Sequence, residues 1–359
     1  MPVEIPVELT EVQTQSPESA HNGDWLLENF FALTDACNSW TARNTKHLDR
    51  LNLQNVSLPE MELDLLEKVE ETVLLEDQYD VPVVPYTEKP IQIAALINFL
   101  ASYKVLRKDH SPYTAHPMFV DIIILFLSGL PPEELTIVRI TALIHDVVEE
   151  DTLRLLEKHI QDPNAGCIPP NFDLSTTENM LMAKNILNSI MPELQIGTAA
   201  LELMQAVIED EDESVTDEYK HARFIHWLNW RAQRRSDLRV VKLADKIHDL
   251  LDLDYITKNP EKSKKEIDDK LASKLAKVSF SMYSLMKQED GSLHPDVPPQ
   301  LWNIFVYILR SRIYSFDIDL SDEGIFKKTL ASYQEPFETH KEKMLAECAD
   351  YAQKVELWH

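Results

Sequence analysis

The chain has 359 residues, 44% of them hydrophobic, which supplies a core for one large domain or two ordinary ones and excludes disorder throughout. Six glycines are few for a protein built on tight turns or phosphate-cradling loops, both of which use positive backbone φ, so a mostly helical chain is expected. With 35 basic and 61 acidic residues the formal charge is −26; it repels polyanions over most of the surface and argues against docking on nucleic acid or an anionic membrane, while leaving room for a compact anionic ligand in a local basic pocket.

The first residues, MPVEIPVELTEVQ, show no basic stretch followed by an apolar one. The longest greasy run, Phe119 to Leu130, contains Asp121 and is too short to span a bilayer. Three cysteines, Cys37, Cys167 and Cys348, are far apart and follow no metal-ribbon spacing, which predicts an unanchored protein of the reducing cytoplasm.

In chain order, residues 1–23 are polar with scattered prolines and are expected to be mobile. Trp25, Leu26, Phe30, Leu33 and Cys37 then recur at helical spacing and open an acidic helical extension over 24–90. Up to residue 90 there are 18 Asp and Glu against 5 Lys and Arg. Pro82, Pro85 and Pro90 break any helix there and place a domain boundary near 90. From 91 to 256, Ile93, Leu96, Ile97 and Leu100, and later Ile137, Ile140, Ile144, Val147 and Val148, keep the rhythm of packed helices. Pro163, Pro169 and Pro170 mark a long excursion over 160–178, followed by a helix at about 179–191. Residues 257–359 again read as helical, and no repeat is present.

Three stretches carry chemistry. In ALIHDVVEEDT, His145 and Asp146 stand inside an apolar run, where polar groups need partners. If the helix continues, Glu149 lies one turn beyond His145 and Glu150 one turn beyond Asp146, so two carboxylates sit above two potential ligands. VVKLADKIHDL carries Asp245, and SPYTAHP sets His116 at the start of a helix. Two imidazoles and two carboxylates suit a divalent ion such as Mn²⁺ or Fe²⁺ with open water positions better than a closed thiolate site. Between 220 and 246 eight cations, Lys220, Arg223, Arg231, Arg234, Arg235, Arg239, Lys242 and Lys246, face only Asp237 and Asp245, a credible cradle for pyrophosphate. The acidic run 209–213 reads as a solvated loop, and Trp227 and Trp230 as core or interface residues.

These stretches resemble the hydrolase domain of the RelA/SpoT-homologue proteins, a metal-dependent fold of the HD superfamily that removes the 3′-pyrophosphate of the alarmone (p)ppGpp. Arg107-Lys108-Asp109, Pro112-Tyr113 and His116-Pro117 look like the family's RK, PYI and HP elements; ALIHDVVEED looks like ALLHDVVED, and VVKLADKIHDL like the LADRLHN segment. The resemblance covers about 95–255. It implies an all-α HD-domain helical bundle with extra N- and C-terminal helical segments, with His116, His145, Asp146 and Asp245 as ligands of Mn²⁺, one ion per site. Glu149 and Glu150 would handle protons, Arg107 and Lys108 would face base and phosphates, and Lys220 and Arg223 would match the phosphate-contacting cations of small alarmone hydrolases.

The match departs in places. Glu150 stands where the family has Asp, with Asp151 following as though inserted. Asp249 replaces the asparagine that touches the nucleotide sugar, and a carboxylate there repels polyphosphate unless a metal or Lys246 intervenes. Tyr255 is the only counterpart found for the family's substrate tyrosine. No synthetase domain is evident, so a monofunctional hydrolase is expected, with a small nucleotide alarmone as partner and with homo-oligomerisation compatible. Other readings stay open: another 3′- or 2′-phosphorylated nucleotide (ppApp, NADPH or a pyrophosphorylated tRNA end), or a non-catalytic alarmone-binding module.

Overall fold

The structure is a computed structural model and describes residues 9, 17–51, 91, 94–95, 98, 106–107, 112–146, 216–233, 237–258, 260, 262–346 and 349. Among the described residues the protein is all-α, with nine helices and no strand: α1 (Pro17–Leu51), α2 (Ala115–Leu127), α3 (Pro132–Ile144), α4 (Asp217–Ala232), α5 (Asp237–Leu251), α6 (Asp254–Thr257), α7 (Lys264–Met286), α8 (Pro299–Ser315) and α9 (Ile325–Thr339). None of them is long and apolar enough to cross a membrane. The expected connector before residue 90, the excursion over 160–178 and the helix at 179–191 lie outside the described residues.

The chain clusters into two compact units, Glu28–Ile208 and Met1–Leu27 with Glu209–His359. The helix expected from Trp25 onward begins earlier, at Pro17. Proline suits a first helical turn because its missing N–H would have no partner there. The expected mobile segment 1–23 therefore ends in helix rather than at Trp25.

In the unit Glu28–Ile208, Phe30, Leu33 and Cys37 of α1 are buried, with the Phe30 ring 5.3 Å from that of Phe119. α2 is buried on nearly every face, and an all-round apolar helix has to be a core element. Gly129, at φ +66°, follows the Ser128 cap and turns the chain; Pro131 and Pro132 then start α3. The short turn lays α3 back against α2. An ion pair is buried between α2 and α3. The Arg139 guanidinium on α3 donates from Nε to Asp121 Oδ1 at 2.8 Å and from Nη2 to Oδ2 at 2.9 Å, a two-pronged pair with both side chains buried. Burial, reinforced by the Asp121 charge, pushes the Cys37 thiol up to about 12, so it is an inert core group.

In the other unit, α4 and α7 pack on α9, and α5 packs on α7 and α8, so helices on both sides of the expected division at 256 share one core. Gly23 lets α1 approach Tyr307, where a Cβ would collide with the ring, and the Tyr307 hydroxyl donates to Asp24. Ser263 and Glu266 form a reciprocal capping box that starts α7. α5 is fastened at both ends by arginines. Arg239 donates to the carbonyls of Ala232 and Leu285, both at 3.1 Å, and Arg312 to those of Leu250 and Leu251, the last carbonyls of α5.

Two outcomes follow from this packing. Arg139→Met should cost about 3–5 kcal/mol in urea unfolding because Asp121 is left buried and uncompensated, whereas the Asp121→Leu, Arg139→Met double variant should lose less than about 2 kcal/mol. Equal losses would show that the pair does not work as a unit. His221, whose Nε2 lies 2.7 Å from Ser281 Oγ, is held down from 6.5 to about 3 by burial and by the Lys277 and Lys246 charges. The unfolded chain therefore takes a proton below pH 6.5 that the folded chain refuses, and stability falls as pH drops from 6.5 towards 3. About 2 kcal/mol should be lost by pH 5, a slope that His221→Gln removes.

Candidate metal centre

His116 stands in the first turn of α2, and the residues before it are tied down locally. Leu106 bridges Pro112, the Asn98 carboxamide donates to the Thr114 carbonyl at 3.3 Å, and the His116 amide donates to the Tyr113 carbonyl at 3.1 Å. His145 and Asp146 follow immediately on the last residue of α3, with His145 as its C-cap in helical backbone conformation. The sequence reading set the pair inside a continuing helix; here α3 ends at Ile144 and the two residues form its closing turn. His116, His145 and Asp146 are all buried.

The Asp146 carboxylate lies between the two imidazoles. His145 Nε2 is 3.1 Å from Oδ1 and His116 Nε2 is 3.3 Å from Oδ2, with the rings 5.4 Å apart and a nitrogen of each within 4.8 Å of the other. The Tyr113 hydroxyl donates to Oδ2 at 3.0 Å. His145 Nδ1 lies 2.6 Å from the Ala142 carbonyl, which only accepts, so Nδ1 carries the proton and Nε2 of the neutral ring offers a lone pair. A lone pair facing a carboxylate oxygen at 3.1 Å is repulsive unless a proton or a cation is shared between them. Adjacent ligands of a divalent ion with bonds of about 2.1 Å lie roughly 3.0–3.4 Å apart, which matches both contacts. The donor set therefore fits a divalent ion, and the carbonyl bond on Nδ1 is the outer support that metal-binding histidines use.

The other expected ligand, Asp245, is buried on α5. Lys246 Nζ is 3.0 Å from Asp245 Oδ2 and 2.8 Å from Asp249 Oδ2, and Lys242 Nζ is 3.7 Å from Asp245 Oδ2. Burial acts to lower the Lys246 pKa, but the Asp245 and Asp249 charges outweigh it and raise the ammonium above its ordinary range. Asp249, whose charge the sequence reading expected a metal or Lys246 to offset, is paired with Lys246 one turn away.

Arg107 is half-buried in the loop closed by the Leu106–Pro112 bridge, ahead of Tyr113. Lys220 and Arg223 are half-buried and three residues apart on α4, hence on one face. Lys108, Glu149, Glu150 and Asp151 lie outside the described residues, as do Arg234, Arg235 and the side chain of Arg231. Two members of the basic island serve elsewhere: Arg239 is a buried tether that also reaches Asp296 at 3.3 Å, and Lys242 is buried beside Asp245. Trp227 is buried, edge-on to Trp230. The Tyr255 hydroxyl accepts from Lys274 at 3.3 Å, and the Lys270 and Lys274 ammonium groups lie over its ring. The tyrosine found against a candidate ligand is instead Tyr113, which stands in the sequence only three residues before His116. Comparison of the chain with protein-family models, with curated proteins and with solved structures gives no match.

The α5 geometry makes the two Lys246 partners unequal. With a chelator present, Lys246→Met should cost about 2 kcal/mol in urea unfolding, since the buried Asp245 loses its nearest cation, whereas Asp249→Asn, at a more exposed pair, should cost less than about 1 kcal/mol. Similar midpoints for the two variants would contradict this ordering.

Proposed function

We propose that the protein is a metal-dependent (p)ppGpp 3′-pyrophosphohydrolase of the HD type. The observation that carries the reading is the Asp146 carboxylate held between His116 Nε2 and His145 Nε2. The ordered RK, HP, HD and LAD stretches supply the direction. On the sequence resemblance, His116, His145, Asp146 and Asp245 would hold one Mn²⁺, which when bound would lower the pKa of a coordinated water.

The chain's own residues do the rest. Arg107 and Lys108, with Lys220 and Arg223, neutralise the substrate's phosphates as negative charge builds up on them. Glu149 and Glu150 divide the proton work, one accepting from the attacking water and the other supplying the leaving 3′-oxygen. Lys246 screens Asp249, so that a ribose hydroxyl can donate to this carboxylate without its charge repelling the phosphates. Water and (p)ppGpp then give pyrophosphate and GDP or GTP. The setting is the cytoplasm, in keeping with Cys37 as a free buried thiol.

Chromatography of reactions containing Mn²⁺ and, separately, ppGpp, ppApp and NADPH tests this reading. Pyrophosphate and GDP should appear from ppGpp, with no product from Asp146→Ala. A protein that binds Mn²⁺ stoichiometrically and turns over none of the three is not an alarmone hydrolase.

A further inference from the structure

Resting on that reading, we infer that Tyr113 is a positioning residue for the metal centre: its phenol fixes the plane of the Asp146 carboxylate, so that an oxygen faces each histidine. An aspartate carboxylate rotates about a broad torsion, so packing of the side chain alone fixes its plane only loosely. Here a directional bond from the Tyr113 hydroxyl to Oδ2, at 3.0 Å, restrains that rotation. That same oxygen stands 3.3 Å from His116 Nε2, and Oδ1 is left towards His145 Nε2 at 3.1 Å.

Tyr113 is itself held firmly enough to transmit this constraint. Its peptide carbonyl accepts from the His116 amide, the next carbonyl accepts from Asn98, and its ring lies edge-on to His116 at 6.5 Å between centroids. One short turn therefore places the histidine ligand and orients the carboxylate ligand together. A neutral donor also suits the task. It occupies one lone pair of Oδ2 without adding a positive charge that would compete with the ion. Tyr113→Phe keeps the ring and its packing and removes only the hydroxyl.

Titration of the full chain with Mn²⁺, with free ion followed by electron paramagnetic resonance, reads the effect. The Tyr113→Phe variant should bind about tenfold more weakly than the wild type, the lower end of what outer-sphere losses produce. The thermal midpoint of its metal-free form should fall by no more than a few degrees, the loss of one hydrogen bond. Loaded with Co²⁺, the variant should also show altered visible ligand-field absorption, which reports coordination geometry and which a residue that only props up the turn would not move. Binding within twofold of the wild type, with an identical Co²⁺ spectrum, overturns the role of Tyr113 and leaves the metal centre standing. A wild type that takes up neither ion overturns both.

Discussion

The Arg139–Asp121 pair is the constraint on which the unit Glu28–Ile208 depends. It is the charged contact that ties α2 to α3 inside an apolar core, and these are the helices that carry His116 and lead into His145. Apolar packing between two helices tolerates small slides, because dispersion and hydrophobic burial are nearly without direction. A two-pronged guanidinium–carboxylate contact is not tolerant in this way. By fixing the register of α2 on α3 it fixes the separation of two imidazoles that stand at opposite ends of the helical hairpin's sequence, and so the slot that Asp146 fills.

The unit that contains α5 solves a different problem: how to accommodate carboxylates on a packed helix in a chain of charge −26. It does so with local cations rather than with the average field. Lys246 serves Asp245 and Asp249 together, and Lys242 stands behind Asp245. Arg312 keeps the end of α5 from fraying, since its terminal carbonyls are satisfied by a side chain instead of water, while Arg239 ties the start of α5 to the carbonyls of Ala232 and Leu285. Arg239, Lys242 and Lys246 of the basic island are therefore engaged within the protein, and what remains for a ligand is narrower than the count of cations suggests.

The helical character of the chain was legible because glycine is scarce and apolar residues recur every three to four positions; α2, with His116 in its first turn, follows directly from the run after Ala115-His116-Pro117. Other features were hidden for physical reasons. Asp121 in an apolar run counts against a membrane span, but nothing local announces that Arg139, 18 residues on, is its partner. The end of α3 at Ile144 was missed because ALIHDVV carries no proline or glycine stop signal. Arg239 reads as one more surface cation until its carbonyl partners, 46 and 7 residues away, are seen. Tyr113 belongs to a motif as a letter, and its hydrogen bond to a residue 33 positions on is a property of the folded turn alone.

The central claim is that one divalent ion belongs among His116, His145 and Asp146. Anomalous diffraction at the manganese edge from crystals of the full chain grown with Mn²⁺ tests it most directly. The account predicts one strong peak per chain, about 2.0–2.3 Å from Nε2 of both histidines and from a carboxylate oxygen of Asp146. A well-ordered map with no peak there, and Asp146 in direct contact with His145 Nε2 in its place, would contradict it.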